Sequence, residues 1–173
     1  MEMYFESAKK FAISYFKAKS GSSNVTEVGV VVSSVEPFVA VPMSAPGNRF
    51  TQNVNDIAFN SAKKGAQLGS ALKMASSSFF QRNPIVNEIL IIITDGVHSG
   101  DREILFEQAR EFHQRGVSIY VIGLGEDYDF DVLRRVASDE ERVRLVPSAD
   151  GLSDPSFIKE FAQATRATPG ESS

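Results

Sequence analysis

The sequence contains no cysteine among its 173 residues, and this absence removes several kinds of site at once. Disulfide bridges, thiolate-bound metals and a cysteine nucleophile are all excluded. The absence leaves the compartment open, because a chain without thiols can fold in oxidising and in reducing environments.

Positive charge is also in short supply, since 18 Lys and Arg stand against 22 Asp and Glu. A nucleic-acid-binding surface needs a basic face that displaces counterions, so we expect no nucleic-acid partner. No apolar run approaches the roughly 18 residues of a membrane-spanning helix. The first residues, MEMYFESAKKFA, are amphipathic, and we therefore expect no signal peptide and no membrane span in this chain.

The remaining composition is typical of one globular domain, with 42 % hydrophobic and 23 % charged residues. We predict a domain over residues 1–166 and a flexible tail over 167–173, where the sequence ends in TPGESS. Asn24 begins the triplet Asn-Val-Thr in a polar segment, which makes it a candidate for glycosylation.

Apolar strand patterns alternate with helical patterns along the chain. Nearly continuous β-branched runs predict buried parallel strands, and a short run between Pro37 and Pro42 predicts an antiparallel edge strand. The fold class predicted is α/β, with a doubly wound, mostly parallel sheet covered by helices on both faces. Strands are predicted at 28–34, 37–43, 88–94, 117–125 and 142–147, and helices at 4–18, 51–61, 67–80, 102–116, 129–138 and 153–165. Ala58 and Ile104 are predicted to face the core, and the last two helices are predicted to be capped by Asp129 or Asp131 and by Ser153 or Asp154.

Asp95 stands directly after the most apolar segment, EILIIIT. In parallel sheets, ligands bind beyond the carboxyl ends of the strands, which is where Asp95 lies. Two interpretations remain open from the residues alone. Asp95 or Ser99 caps the following helix, or the Asp95 carboxylate binds a hard divalent ion.

The sequence matches none of the enzymatic motifs in full. Ser99 and His98 suggest a hydrolase, but Ser99 lies one position too late for the G-x-S-x-G turn that begins at Gly96. The glycines of GLGEDY and GAQLGSAL do not match dinucleotide-binding or phosphate-binding loops. We therefore expect no enzyme, and a small α/β hydrolase remains only as a disfavoured alternative.

The order of the motifs resembles a von Willebrand factor type A domain. The segments that carry the resemblance are VGVVVSS, KKGAQLGSALKMA, ILIIITDGVHSGD, GVSIYVIGLGED, LRRVAS and VRLVPS. Within this family, these motifs are most similar to those of the matrilins and of the globular domains of collagen VI. The resemblance implies a Rossmann-like fold, an extracellular setting and non-enzymatic binding of matrix or cell-surface proteins, with a purely structural role as the alternative.

The resemblance also implies an ion-dependent adhesion site, from which this sequence departs. Asp95 matches the family aspartate, but Ala66 occupies the family threonine position and no Asp-x-Ser-x-Ser segment exists. We therefore expect a degenerate site that binds Mg²⁺ weakly at most, with no firm cofactor. Its remnant would include Asp95, Gly96, Ser99 and Gln67.

The first central strand of the family, which carries Asp-x-Ser-x-Ser, is missing as well. In the family it lies between the strands that match VGVVV and ILIIIT. We expect either a fragment of a longer protein, a sheet that closes up, or a strand supplied by a partner. Exposed strand edges would also permit self-association.

Overall fold

Strands and helices alternate along the chain in a computed structural model that describes residues 2–20, 27–45, 47–59, 67–80, 88–96 and 102–165. The strands are β1 (Val28–Val32), β2 (Phe38–Ser44), β3 (Ile89–Thr94), β4 (Ser118–Leu124) and β5 (Val143–Val146). The helices are α1 (Glu2–Ser20), α2 (Asn48–Asn55), α3 (Leu68–Ser78), α4 (Arg102–Gln114), α5 (Phe130–Val136), α6 (Ala149–Leu152) and α7 (Pro155–Ala164). No helix in these ranges is long and apolar enough to span a membrane.

The strands form two separate ladders. β1 pairs with β2 in antiparallel orientation, and β3, β4 and β5 pair in parallel in that order. This confirms an α/β fold with a parallel sheet and an antiparallel edge pair. The sheet has not closed up, because no strand pairing within the described ranges joins one ladder to the other.

Each face of the parallel ladder carries its own apolar core. On one face, α1 and α7 pack Phe11, Tyr15 and Phe161 against Tyr120 and Ile122 of β4. The opposite face packs α3, α4 and α5 against the same sheet, through a cluster that includes Leu72, Leu105, Phe112, Ile119 and Leu133. This arrangement is possible because β4 is apolar on both faces and almost wholly buried.

Residues suited to helix capping occupy the ends of several helices. The Asp129 carboxylate accepts from the Val132 N–H at 3.3 Å at the start of α5, and Asp154 caps α7 with Pro155 in its first turn. Gly116 follows α4 with φ 77°, a conformation in which glycine costs least.

Two sequence expectations were wrong in detail, and one short helix was missed. Helix α2 spans Asn48–Asn55 rather than 51–61, so Ala58 lies outside it and is exposed. Ile104 was predicted to face inward but is 42 % exposed. The short helix α6 over Ala149–Leu152 was not predicted; Ser148 caps it by accepting from the Gly151 N–H.

A buried hydrogen bond ties α1 to the end of α7. The Tyr15 hydroxyl lies 2.6 Å from Thr165 Oγ1, and Thr165 Oγ1 in turn donates to the Phe161 carbonyl at 3.0 Å. Thr165 is fully buried and Tyr15 is 3 % exposed. Burial raises the pKa of Tyr15 to about 12, because the phenolate would lose its hydration.

This raised pKa predicts a loss of stability at alkaline pH. An unfolded tyrosine ionises near about pH 10, so between about pH 10 and 12 the unfolded state releases a proton that the folded state retains. The free energy of unfolding should therefore fall as pH rises through that window, by about 1.4 kcal/mol at pH 11 from Tyr15. Urea denaturation at pH 8 and pH 11 measures the fall.

Tyr15→Phe is the matched variant. It should be about 1 kcal/mol less stable than the parent at pH 8, since one buried hydrogen bond is lost. It should lose less further stability between pH 8 and pH 11 than the parent does. Equal alkaline losses in the two proteins would contradict this assignment to Tyr15.

Candidate functional site

The carboxyl ends of β3 and β4 bring two loops together. Asp95 and Gly96 follow β3, and the segment from Gly125 to Asp129 follows β4. A Cβ atom placed on Gly96 would lie 3.3 Å from the Asp127 carbonyl oxygen, so the two loops are in contact. This is the edge at which parallel α/β sheets bind ligands.

Thr94 fixes the turn in which Asp95 lies. Its hydroxyl donates to the Gly96 carbonyl at 2.7 Å and accepts from the Gly96 N–H at 3.2 Å. Gly96 has φ 150°, a conformation that residues with side chains rarely adopt. The Thr-Asp-Gly sequence is therefore explained locally: Thr94 closes the turn, Gly96 permits it, and Asp95 is held between them.

The Asp95 side chain is exposed, and no hydrogen bond or ion pair reaches it from the part of the chain that the structure describes. It does not cap α4, which begins at Arg102, seven positions later, so that interpretation of Asp95 was wrong. Ser99, the other candidate for the cap and for the remnant site, lies outside the described residues. Asn24 and Ala66 lie outside them as well.

Asp129, which belongs to the neighbouring loop, is already engaged. Its Oδ2 accepts from Arg102 Nη2 at 3.0 Å, while the same carboxylate caps α5. Both side chains are 40 % exposed. Arg102 therefore connects the start of α4 to the start of α5. The sequence indicated Asp129 as a cap but contained no pattern that predicted its ion pair across 27 positions.

Gln67 lies at the start of α3 and is exposed. Its backbone N–H donates to the Ser34 carbonyl at 3.2 Å, beyond the end of β1. Its Oε1 accepts from the Ser70 hydroxyl at 3.2 Å. No hydrogen bond within the described ranges connects Gln67 to Asp95.

The described residues at this edge do not supply a set of ligands for a divalent ion. Mg²⁺ takes six oxygen ligands in near-octahedral geometry, whereas the described carboxylates at this edge are the exposed ones of Asp95, Glu126 and Asp127 and the engaged one of Asp129. Within the described parts of the chain, no group of three or more His, Asp or Glu side chains could hold a metal.

Comparison with known proteins identifies the family. The family model of the von Willebrand factor type A domain matches residues 1–156. Von Willebrand factor A domain-containing protein 2 of Mus musculus is 31 % identical over 173 residues, covering 95 % of this chain and 21 % of that protein. Matrilin-1 of Mus musculus is 28 % identical, covering 92 % of this chain and 33 % of that protein.

The fold is similar to that of a solved matrix protein. Proximal thread matrix protein 1 from the mussel byssus, in a structure with a zinc-occupied ion-dependent adhesion motif, matches with a TM-score of 0.78 at 20 % identity. The match covers 94 % of this chain and 43 % of that one. At this identity the likeness concerns the fold. The chain spans only a fifth to a third of the curated relatives described above.

Proposed function

Because this chain belongs to the von Willebrand factor type A family, we propose that it is a non-enzymatic module that binds matrix or cell-surface proteins without a coordinated ion. The proposed domain extends over residues 1–166. The proposed setting is extracellular, which agrees with relatives such as matrilin-1. A purely structural role in a longer protein is the alternative that the experiments below must exclude.

The observation that supports this proposal is that Asp95 is exposed and has no neighbouring ligands in the described residues. The carboxylate is exposed beside the Asp127 loop, at the edge of the sheet where a partner could reach it. It lacks neighbouring ligands in the described part of the chain, and Ala66 has no oxygen ligand in its side chain. A hard ion held by one carboxylate would stay largely hydrated and bind weakly.

Mg²⁺ should leave the melting temperature of this chain unchanged. A ligand that binds only the folded state raises that temperature, and binding at a hundred times its Kd adds about 2.7 kcal/mol of stability. Thermal unfolding followed by circular dichroism, in 10 mM MgCl₂ and in EDTA, measures the difference. A clear upward shift with Mg²⁺ that Asp95→Ala abolishes would show that an ion site exists.

Binding to matrix proteins is tested with purified fibrillar collagen and purified matrilin-1 immobilised for surface plasmon resonance. We expect saturable binding that is equal in Mg²⁺ and in EDTA and that changes less than about threefold in Asp95→Ala. Asp131→Ala, which removes a carboxylate that is 85 % exposed in the first turn of α5, is the matched control for removing one surface charge.

Two results would contradict the proposal in different ways. Binding that disappears in EDTA and in Asp95→Ala, but not in Asp131→Ala, would restore an ion-dependent mechanism. No binding to either immobilised protein at tens of micromolar, with the chain folded, would favour the structural alternative. Turnover of ester or nucleotide substrates would contradict the non-enzymatic assignment.

A further inference from the structure

A surface cleft of about 230 Å³ lies between α4 and α5, and it is lined by one aromatic and three basic side chains: Phe106, Arg110, His113 and Arg135. The three lining residues of α4 follow the spacing i, i+4 and i+7, which places them along one stripe of the helix, beside its buried stripe. Arg110 is eight positions beyond Arg102, or about 12 Å along the helix axis. The cleft is therefore separate from the edge of the sheet that carries Asp95.

The two arginines of the cleft are exposed and have no anionic partner. No ion pair in the described ranges reaches the guanidinium group of Arg110 or of Arg135. Arg134, the neighbour of Arg135 on α5, pairs with Asp131 at 3.5 Å and with Glu140 at 3.7 Å. Asp131 is also four positions before Arg135, but its ion pair is with Arg134. The cleft thus concentrates positive charge that the described parts of the chain do not neutralise.

The Arg135 side chain is held by contacts that join the two helices. Its guanidinium carbon lies 4.0 Å from the centroid of the Phe106 ring, in a cation–π contact. A guanidinium group stacked in this way can still donate from the N–H groups at its rim. The His113 Nε2–H donates to the Val136 carbonyl at 3.1 Å, since a carbonyl oxygen can only accept. Arg135 is therefore oriented before a ligand arrives, which lowers the entropic cost of binding.

The charges beside the cleft restrict the size of the anion that it can bind. Glu103, Glu107 and Glu111 follow one another at a spacing of four and form an exposed stripe of α4 next to the lining residues. An extended polyanion along α4 would meet these carboxylates, and the whole chain has a formal net charge of −4. A compact anion inside the cleft would meet the two guanidinium groups instead. The charge pattern therefore favours a single small anionic group.

The two guanidinium groups indicate the chemistry of that anion. Each guanidinium can donate two parallel N–H groups to two oxygens of one acceptor. A tetrahedral anion presents oxygens in several directions, so it can accept from arginines on two different helices. A carboxylate has only two oxygens, which one guanidinium can occupy. We propose that this cleft binds one phosphate or sulfate group, as the free ion or as a monoester, between Arg110 and Arg135.

Inorganic phosphate is the first probe, titrated into the whole chain at pH 7.5 with the ionic strength held constant by sodium chloride. Carbon-detected NMR of the arginine Cζ and Nε atoms reports on each guanidinium group. The signals of Arg110 and Arg135 should shift saturably, with a Kd on the order of 1 mM. The signals of Arg144, which lies on β5 outside the cleft, should move much less. Sodium sulfate should give the same pattern.

Arg135→Gln should weaken phosphate binding by about fivefold or more, because one of the two guanidinium groups is removed. Arg135→Lys keeps the charge but loses the planar group, and it should also weaken binding, by about threefold. Lys159→Gln is the matched control. It removes the same charge from an exposed position of α7, which packs on the opposite face of the sheet, and it should change the Kd by less than about twofold.

A monoester distinguishes the two sources of the group. Phenyl phosphate is titrated in the same way as inorganic phosphate. Equal Kd values would support the proposal with the free ion as a sufficient ligand. A Kd for phenyl phosphate that is lower by about fivefold or more would support it with the ester as the preferred form.

Three outcomes would overturn the proposal. Shifts that stay linear throughout the titration, or that sodium chloride alone reproduces, would mean that the anions only screen surface charge. Equal weakening by Arg135→Gln and Lys159→Gln would mean that net charge, rather than the cleft, attracts the anion. Acetate that bound as tightly as phosphate would contradict the choice of a tetrahedral anion.

Discussion

Replacing Phe161 by alanine is expected to lower the free energy of unfolding by about 3–5 kcal/mol. Phe161 is 2 % exposed in the middle of α7. Its ring lies 5.5 Å from that of Phe11, 5.7 Å from that of Tyr15 and 5.8 Å from that of Tyr120, centroid to centroid. The substitution would leave a cavity among three rings from α1 and β4, which are too constrained to collapse into it.

Urea denaturation followed by far-UV circular dichroism measures this loss. Phe130→Ala is the matched control, since Phe130 begins α5 and is 36 % exposed. Its removal should cost less than about 1 kcal/mol, because exposed positions far from a core tolerate truncation. If the two variants lost equal stability, the packing of α7 on α1 and β4 would not be a main support of the fold.

Ile92→Asp is expected to abolish cooperative unfolding or to remove at least about 4 kcal/mol of stability. Ile92 is 4 % exposed, in the cluster that contains Leu68, Leu72 and Leu105. An aspartate there would be either a charge without a counterion or a protonated carboxyl without a hydrogen-bond partner. The free energy of unfolding of an ordinary domain is only about 5–15 kcal/mol, so this loss would remove a large part of it.

The control at the same position is Ile92→Val, which removes one methylene without adding polarity. It should cost about 0.5–1.5 kcal/mol and keep the cooperative transition. Differential scanning calorimetry of both variants gives the comparison. An Ile92→Asp protein that melted within a few degrees of the parent would mean that this part of β3 is hydrated in solution, and the buried position assigned to it would be wrong.

The sequence was most informative where one physical rule dominates. Runs such as ILIIIT and YVIGL strongly favour strands of a covered sheet, so β3 and β4 were predicted to within a residue or two, although β4 alone is almost wholly buried. Asp129 and Asp154 were both among the predicted caps, because short acidic side chains accept backbone N–H groups there. An open strand edge was one of the alternatives that followed from the missing first strand, and no strand pairing in the described ranges joins the two ladders.

The sequence was less informative where a position depends on tertiary contacts. Ile104 has an apolar side chain at helical spacing, yet the core of α4 uses Leu105, Ala109 and Phe112, and Ile104 lies beside that stripe. Helix α2 begins at Asn48, which places Phe50 in the core, although no cap precedes it with a side-chain hydrogen bond. Short helices of this kind are selected by packing rather than by local propensity.

The candidate site was predicted only in part for the same reason. The position of Asp95 follows from its place after β3, and the turn that presents it follows from Thr94 and Gly96. The ion pair that joins Arg102 to Asp129 depends on how α4 and α5 approach each other. No local sequence pattern specifies a pairing across that distance, so this ion pair could not be predicted from the sequence.

The Tyr15–Thr165 contact closes a loop of 150 residues, and this has a consequence during synthesis. During translation, α1 leaves the ribosome long before α7 is synthesised, so the aromatic face of α1 stays uncovered in the interval. At about 5–20 residues per second the delay lasts on the order of ten seconds. During that time Phe11 and Tyr15 have no α7 to cover them, so the nascent chain exposes an aromatic surface that the folded protein buries.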